Sequence, residues 1–155
     1  MKDCLKPHRN VDAENQLKSF IKQIQTLMEE ADHNSTVENM VKEAAKLVKM
    51  PNRVLDLTVI EHYDSWTDID GLVAELTMEV PKLLAISKED FISIVQEIRH
   101  VIENGQPPAS MSLDYYMNFY RTFFEINFPA IDGLFDEIFE DTSLEKLIEL
   151  AFSKI

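Results

Sequence analysis

An aromatic-rich stretch from Leu113 to Phe128 dominates the sequence. Its sixteen residues hold seven of the fourteen aromatic residues in the chain. At about 100° of rotation per residue, apolar side chains cover all of a helix here except one sector. Because a helix that is apolar on nearly all sides must be enclosed by other helices, the sequence predicts that this helix is the centre of a core. The polar sector holds Asp114, Asn118, Arg121 and Glu125.

Apolar residues at helical spacing, punctuated by capping residues, predict further short helices on both sides of this stretch. Asp12 is the predicted cap of the first helix, Ser35 with Glu38 forms a capping box for the second, and Pro51 interrupts the chain after it. The segment from 53 to 62 is ambiguous between helix and strand. We predict helix there, because a lone strand would have no sheet to join.

The second half of the chain shows the same punctuation. Thr67 and Asp70 are predicted caps of a helix that ends near Pro81, while Ser87 and Ser112 are predicted caps of the next two helices. Pro129 is expected to open the following helix, which carries five apolar residues, and Thr142 or Ser143 begins the last helix. The five residues are Ile131, Leu134, Phe135, Ile138 and Phe139.

These patterns predict the fold class as all-α. The 155 residues suffice for one domain. We therefore expect a compact single-domain bundle of seven or eight short helices around the central aromatic helix at about 113–128, with roughly the first ten residues frayed.

The composition of the chain indicates which classes of binding partner are expected. The chain has 28 acidic and 15 basic residues, and its formal net charge is −13. Direct binding of nucleic acid is not expected, because phosphate contacts need Lys and Arg to displace condensed counterions. No apolar run reaches the length of a membrane span or of a signal peptide, and there is a single cysteine, Cys4. We therefore expect a cytoplasmic protein that does not enter a membrane.

The sequence contains no motif that predicts a reaction, and we expect no enzyme activity. Gly71, Gly105 and Gly133 stand apart, whereas nucleotide-binding loops need clustered glycines, so no cofactor is expected. Glu-x-x-His occurs at Glu30-His33, which lies at a fraying helix end, and at Glu97-His100, which lies off the apolar face of its helix, so no metal site is predicted. A calcium loop at 68–71 fails because Trp66 and Thr77 stand where its first and last ligands belong.

The distribution of charge is more informative than any motif. Residues 1–53 carry nine basic and eight acidic residues, whereas residues 54–155 carry six and twenty. The range 54–81 has seven acids and no Lys or Arg, and the range 125–149 has eight acids and one lysine. Solvent-exposed helices usually alternate acidic and basic residues, because oppositely charged side chains one turn apart form stabilising ion pairs. The surplus of acids therefore predicts a surface that binds a basic protein partner.

Aromatic residues among these acids would supply the anchors of such a surface. Trp66 is one candidate, although it lies at a junction and could equally be a core residue; Tyr115 could likewise be buried. The predicted partner-binding residues are Asp64, Trp66, Asp68, Asp70, Asp114, Tyr115, Tyr116, Asp132, Asp136, Glu137 and Glu140.

Two stretches resemble known toxin-neutralising proteins. The run from Ile86 to Val95, ISKEDFISIV, resembles an early helix of the colicin DNase immunity proteins, and Ser112-Leu113-Asp114-Tyr115-Tyr116 is similar to their toxin-binding Asp and Tyr-Tyr pair. The stretches 76–84, 87–90 and 112–115 also resemble immunity proteins of contact-dependent growth inhibition systems. The resemblance implies inhibitory binding of a basic toxin, with roles for Asp114, Tyr115 and Tyr116.

Two functional hypotheses follow. In the first, the chain is an inhibitor whose carboxylates cover the cationic active-site cleft of a nuclease-type toxin. In the second, it is a helical adaptor or regulatory module that binds another protein through an apolar groove. Association should slow steeply as salt is raised under the first hypothesis and change little under the second.

Overall fold

The structure is a computed structural model that describes residues 2–30, 35–108 and 111–152. Within these residues the chain forms eight α-helices and no strand, which confirms the all-α prediction. Two short 3₁₀ turns, Asp3–Leu5 and Tyr63–Ser65, accompany them. The helices are α1 (Val11–Glu30), α2 (Ser35–Ala45), α3 (Leu57–His62), α4 (Ile69–Leu76), α5 (Lys88–Asn104), α6 (Leu113–Asn127), α7 (Leu134–Phe139) and α8 (Leu144–Phe152).

Contacts within the chain cluster into two compact units. The α1–α4 unit comprises Arg9–Glu79, and the α5–α8 unit comprises Met1–His8 with Val80–Ile155. That the chain is a single domain stays a prediction.

The α1–α4 unit has an apolar cluster of its own. Helix α1 packs against α2 and α4, and its Leu17, Ile21 and Ile24 are completely buried. Helix α2 adds Val37 and Ala44 to this cluster. This cluster is separate from the single core around the aromatic helix that the sequence predicts.

Capping residues in the α1–α4 unit differ from the predicted ones. Asn10, not Asp12, accepts a hydrogen bond at the start of α1, with 3.1 Å between its Oδ1 and the amide nitrogen of Ala13. Asp68, rather than Thr67 or Asp70, caps α4, since its Oδ1 accepts from the amide of Gly71 at 2.7 Å. The ambiguous segment 53–62 does end in a helix, α3, which Asp56 caps. Helix α4 then ends at Leu76, well before Pro81.

Helix α6 is the centre of the α5–α8 unit, as the sequence predicts. Six of its aromatic residues are buried. The ring of Phe91 from α5 packs edge-on against the rings of Phe124 and Phe152, with 6.0 and 5.5 Å between the ring centroids. Ser112 caps α6 as predicted, with its Oγ 3.1 Å from the amide of Tyr115. The buried aromatic residues of α6 are Tyr115, Tyr116, Phe119, Tyr120, Phe123 and Phe124.

The start of the chain packs within this unit, although the sequence predicts a frayed terminus. Leu5 is buried, and the Tyr120 hydroxyl donates to its carbonyl oxygen at 2.9 Å. The Tyr115 hydroxyl donates to the carbonyl oxygen of His8 at 2.8 Å, and Lys2 pairs with Asp90 at 3.1 Å. The resulting hydrogen bond and charge hold the pKa of Asp90 below its usual value.

The helix after α6 begins later than predicted. Gly133 has a left-handed backbone, with φ of +73°, and α7 starts at the next residue, Leu134. Pro129 and Ile131 therefore lie in the turns before α7 and not on it. The reason is local: a left-handed residue cannot continue a right-handed helix, and glycine adopts that conformation at little cost.

Candidate protein-interaction surfaces

One face of α7 combines exposed acids with an exposed phenylalanine. Asp136, Phe139 and Glu140 follow one another at helical spacing, so their side chains emerge on the same side. Phe139 is 46% exposed, although its ring packs edge-on against that of Phe135 at 5.0 Å. Asp141 follows with a left-handed backbone and is also exposed. We call these four residues, Asp136, Phe139, Glu140 and Asp141, the α7 surface.

The opposite face of α7 holds this surface in place. Leu134, Phe135 and Ile138 are buried beneath it. Arg99 of α5 donates from Nε to the carbonyl oxygen of Ile138 at 3.2 Å and from Nη2 to that of Thr142 at 2.6 Å. A guanidinium from a neighbouring helix thus satisfies one carbonyl in the last turn of α7, which has no basic residue of its own, and one carbonyl in the segment before α8.

Ion pairs do not account for the carboxylates of the α7 surface. Among the described residues, no Lys, Arg or His lies within ion-pairing distance of Asp136, Glu140 or Asp141. Asp136 and Glu140 are like charges one turn apart, a pairing that costs a helix about 0.2–0.5 kcal/mol. Asp136 lies in the first turn of α7, where a negative charge is favourable to the helix dipole, but Glu140 lies at the C-terminal end, where its charge does not stabilise the helix.

Two other predicted residues of this segment have different surroundings. Glu137 is half-buried and accepts a hydrogen bond from the Thr142 hydroxyl at 2.7 Å, so it belongs to the internal contacts of the segment. Asp132 precedes α7, so it does not continue the helical spacing of Asp136 and Glu140. Asp132 and Asp136 instead share the rim of a cavity with Arg121.

A second exposed aromatic residue lies in the α1–α4 unit. Trp66 is 56% exposed and follows the 3₁₀ turn Tyr63–Ser65, so the alternative that it is a core residue is wrong. Asp64 beside it is exposed too. Tyr63 is anchored by a hydrogen bond to its hydroxyl from the Gln25 amide at 3.2 Å.

The remaining acids around Trp66 already have partners. Asp68 caps α4, as described above. Asp70 pairs with Lys18, with 2.7 Å between Oδ1 and Nζ, and the hydrogen bond and charge of Lys18 hold the pKa of Asp70 below its usual value. Of the predicted acids in this region, Asp64 is therefore the one whose carboxylate no described contact explains.

The residues implied by the immunity-protein resemblance are mostly in the core. Tyr116 is completely buried and Tyr115 is 7% exposed, so neither offers a partner any appreciable surface, and both must be withdrawn from the predicted partner-binding set. The reason is that both rings face the centre of the α5–α8 unit, where α6 is enclosed on nearly all sides. Asp114 is exposed in the first turn of α6, where a negative charge stabilises the helix dipole.

Phe139 is the residue that the sequence analysis missed. Its expected place was the apolar face of α7, together with Leu134, Phe135 and Ile138. At about 100° per residue those three span roughly 100° of the helix, and Phe139 lies about 40° beyond their edge. That offset places the ring at the border of the apolar face, where the neighbouring elements decide whether it is buried or exposed.

A second cavity in the α5–α8 unit is mainly apolar. Its volume is about 350 Å³, and Phe128, Pro129, Ile131 and Phe152 are among its lining residues. Leu84 also lines it and is fully exposed to solvent. An apolar segment of another protein could lie against such a groove.

Within residues 2–30, 35–108 and 111–152, no three His, Cys, Asp or Glu side chains converge as metal ligands do. Glu97 accepts a hydrogen bond from Tyr120 at 3.2 Å, His100 lies beside Asn104, and His33 falls outside the described residues. No helix of the described chain has the length and apolarity needed to cross a membrane.

Comparison with protein-family models, with curated proteins and with solved structures found no match to this chain.

Proposed function

We propose that this chain is a protein-binding inhibitor of the immunity-protein type, and that its α7 surface covers a basic site on a nuclease-type toxin. One observation carries the proposal: Asp136, Glu140 and Asp141 are exposed, have no ion pair among the described residues, and flank a half-exposed phenylalanine, Phe139, in the sequence. Acids that add repulsion to a short helix are explained by a partner that neutralises them.

The physical basis is the match between carboxylates and a phosphate-binding cleft. Such a cleft presents Lys and Arg, and carboxylates can occupy the positions of the phosphates. A negative surface also steers a cationic partner, with association rates up to about 10⁸–10⁹ M⁻¹s⁻¹ at low salt. Phe139 would supply the apolar anchor, since truncation of central aromatic residues at an interface often costs 2 kcal/mol or more.

The proposal is tested by affinity capture with the full chain and variants at two positions of α7. The purified chain is immobilised and exposed to lysate of its source organism, at low and at physiological salt. We expect capture of a basic protein whose nuclease activity falls as the chain is added up to equal amounts. Phe139→Ala should weaken this complex about 30-fold or more. The double variant Asp136→Asn/Glu140→Gln should slow association at low salt by about tenfold.

The matched control removes two charges elsewhere. Glu29→Gln/Glu38→Gln makes the same change at exposed positions of the charge-balanced N-terminal third. It should leave binding nearly unchanged. Equal loss in the control and in the α7 variant would show that net charge alone governs binding, and an acidic captured partner would refute the inhibitor proposal outright.

A second candidate function is supported by the apolar cavity beside Leu84. Under this proposal the chain is an adaptor that binds a partner segment through that groove, without the acids of α7. Leu84→Ser should then abolish capture, while Asp136→Asn/Glu140→Gln should not. Salt separates the two candidates as well, because only the α7 interface depends on charge. Trp66→Ala, tested in parallel, reports whether the exposed tryptophan contributes to either interface.

A further inference from the structure

Residues 2–8, which we call the strap, belong to the α5–α8 unit but lie outside all of its α-helices. The amide of Leu5 donates within the strap, to the carbonyl oxygen of Lys2 at 3.0 Å. Among the described residues, no main-chain hydrogen bond joins the strap to residues 80–152. Side chains of the unit therefore hold the strap, in the way that a binding groove holds a peptide.

Three kinds of contact hold the strap. The hydroxyls of Tyr115 and Tyr120 donate to its main-chain carbonyls, as described above. Leu5 is its apolar anchor and is only 1% exposed. Lys2 pairs with Asp90, but the Lys2 side chain is 70% exposed, and an exposed ion pair contributes little to stability. A segment with so few anchors opens locally at a lower free energy than a helix of the core.

One buried hydroxyl close to these contacts is left without a partner. The Tyr120 hydroxyl serves both the Leu5 carbonyl and the Glu97 carboxylate, at 2.9 and 3.2 Å. The ring of Tyr116 is 5.1 Å from that of Tyr120 between centroids, and its buried hydroxyl has no hydrogen-bond partner among the described residues. Because an unpaired buried hydroxyl costs free energy, the strap leaves room for an occupant that fits better.

We infer that the surface beneath the strap is a docking site for a linear segment of a partner protein, and that the strap occupies this site as a built-in competitor. The strap itself shows what the site recognises: a basic residue for Asp90 and, three positions later, an aliphatic residue in the place of Leu5. Main-chain carbonyls, which every peptide has, would accept from Tyr115 and Tyr120. The α7 surface takes no part, so the docking site is independent of the proposed function.

The same contacts favour a partner's segment over a second copy of the chain. A tethered strap has an effective concentration on the order of millimolar at its own site. The strap of a second copy makes identical contacts without the tether, so it does not displace the first. A partner's segment that brings an acceptor to the Tyr116 hydroxyl gains a hydrogen bond that the strap lacks.

The test uses the full chain labelled with ¹⁵N and an unlabelled synthetic peptide of residues 2–8, with blocked ends and Cys4→Ser to prevent disulfides. In the chain variant Leu5→Asp, the strap loses its anchor. The peptide should bind this variant at least about tenfold more tightly than the parent, because occupation by the strap lowers the apparent affinity. In the parent, the peptide should move the Lys6 amide resonance to its position in a disordered chain while the Asp90 amide keeps its bound position.

Matched peptides and a milder chain variant are the controls. A Lys2→Gln peptide should bind more weakly, whereas Lys6→Gln, the same loss of charge at an exposed position without contact to the unit, should bind like the parent peptide. A Leu5→Asp peptide should not bind. The chain variant Leu5→Ala should show an intermediate affinity, and it replaces Leu5→Asp if the latter does not keep the parent's pattern of core resonances.

Three results would overturn the inference. They are a parent peptide that binds neither chain variant, a Leu5→Asp peptide that binds as well as the parent peptide, and equal effects of Lys2→Gln and Lys6→Gln. Dimers of the parent that grow with concentration and vanish in Leu5→Asp would make a second copy the occupant, which also contradicts it. No toxin enters the experiment, so failure of the docking site leaves the proposed function intact, and failure of the proposed function leaves the docking site intact.

Discussion

Two neighbouring tyrosines on α6 show how differently buried hydroxyl groups are accommodated. The Tyr120 hydroxyl lies 2.9 Å from the carbonyl oxygen of Leu5 and 3.2 Å from the Glu97 carboxylate. The Tyr116 hydroxyl is buried, and among the described residues it has no hydrogen-bond partner. Burial, reinforced by the negative charge of Glu97, raises the pKa of both groups well above the usual value, so both stay protonated at neutral pH.

Removal of each hydroxyl should therefore have opposite consequences. Tyr116→Phe removes a buried group that has lost its water and gained no bond, so the free energy of unfolding should stay the same or rise by about 1 kcal/mol. Tyr120→Phe leaves the Leu5 carbonyl without this donor and should cost about 1–3 kcal/mol. Urea unfolding of the two variants and the parent measures both values. A larger loss in Tyr116→Phe than in Tyr120→Phe would contradict the assignment of partners.

At the scale of helices, the sequence predicts that a helix is present more reliably than it predicts the residues at which that helix begins and ends. Ser87 and Ser112 were predicted correctly as caps, since the side chain of each accepts a hydrogen bond from the amide three residues later. Asp12 and Asp70 were wrong because Asn10 and Asp68, equally good caps, lie two residues earlier. Choosing among adjacent capping residues requires the tertiary contacts that fix the first turn, and a single sequence does not contain them.

Replacing a buried phenylalanine of α6 and an exposed phenylalanine of α7 by alanine should change the free energy of unfolding by different amounts. Phe124 is 2% exposed and its ring lies 6.2 Å from that of Phe135, whereas Phe139 is 46% exposed. Phe124→Ala should lower the free energy of unfolding by about 3–5 kcal/mol. Phe139→Ala should cost clearly less, because much of its ring already contacts water. Urea midpoints of the two variants check this, and equal losses would show that α7 packs differently.

At the scale of the whole molecule, the sequence predicts that the candidate surfaces are acidic. It does not predict which residues form them. The acidic character of the segment after α6 follows directly from composition. The burial of Tyr115 and the exposure of Phe139 do not, because both depend on which side of a short helix meets its neighbours. The division into two compact units was not predicted either, since no Gly- or Pro-rich linker marks it.

The net charge of −13 predicts how stability depends on salt. Raising NaCl from about 10 mM to 150 mM shortens the screening length from about 30 Å to 8 Å, which weakens repulsion among surplus acids. The same change weakens ion pairs such as Lys18–Asp70 and Arg53–Glu75, but an exposed pair contributes only about 0–1 kcal/mol. Since repulsion involves the entire acidic surplus, we expect the urea midpoint of unfolding to rise with salt.

The variant Asp136→Asn/Glu140→Gln tests how much the α7 surface contributes to this dependence of stability on salt. With two unpaired charges removed, the protein should be as stable as the parent or slightly more stable at 10 mM NaCl, and its urea midpoint should rise less on addition of salt. Urea is the suitable denaturant because guanidinium would itself screen the charges. If the parent instead loses stability as salt is added, ion pairs outweigh repulsion. The acids of α7 would then impose no folding cost, and the argument that a basic partner must explain them would lose its premise.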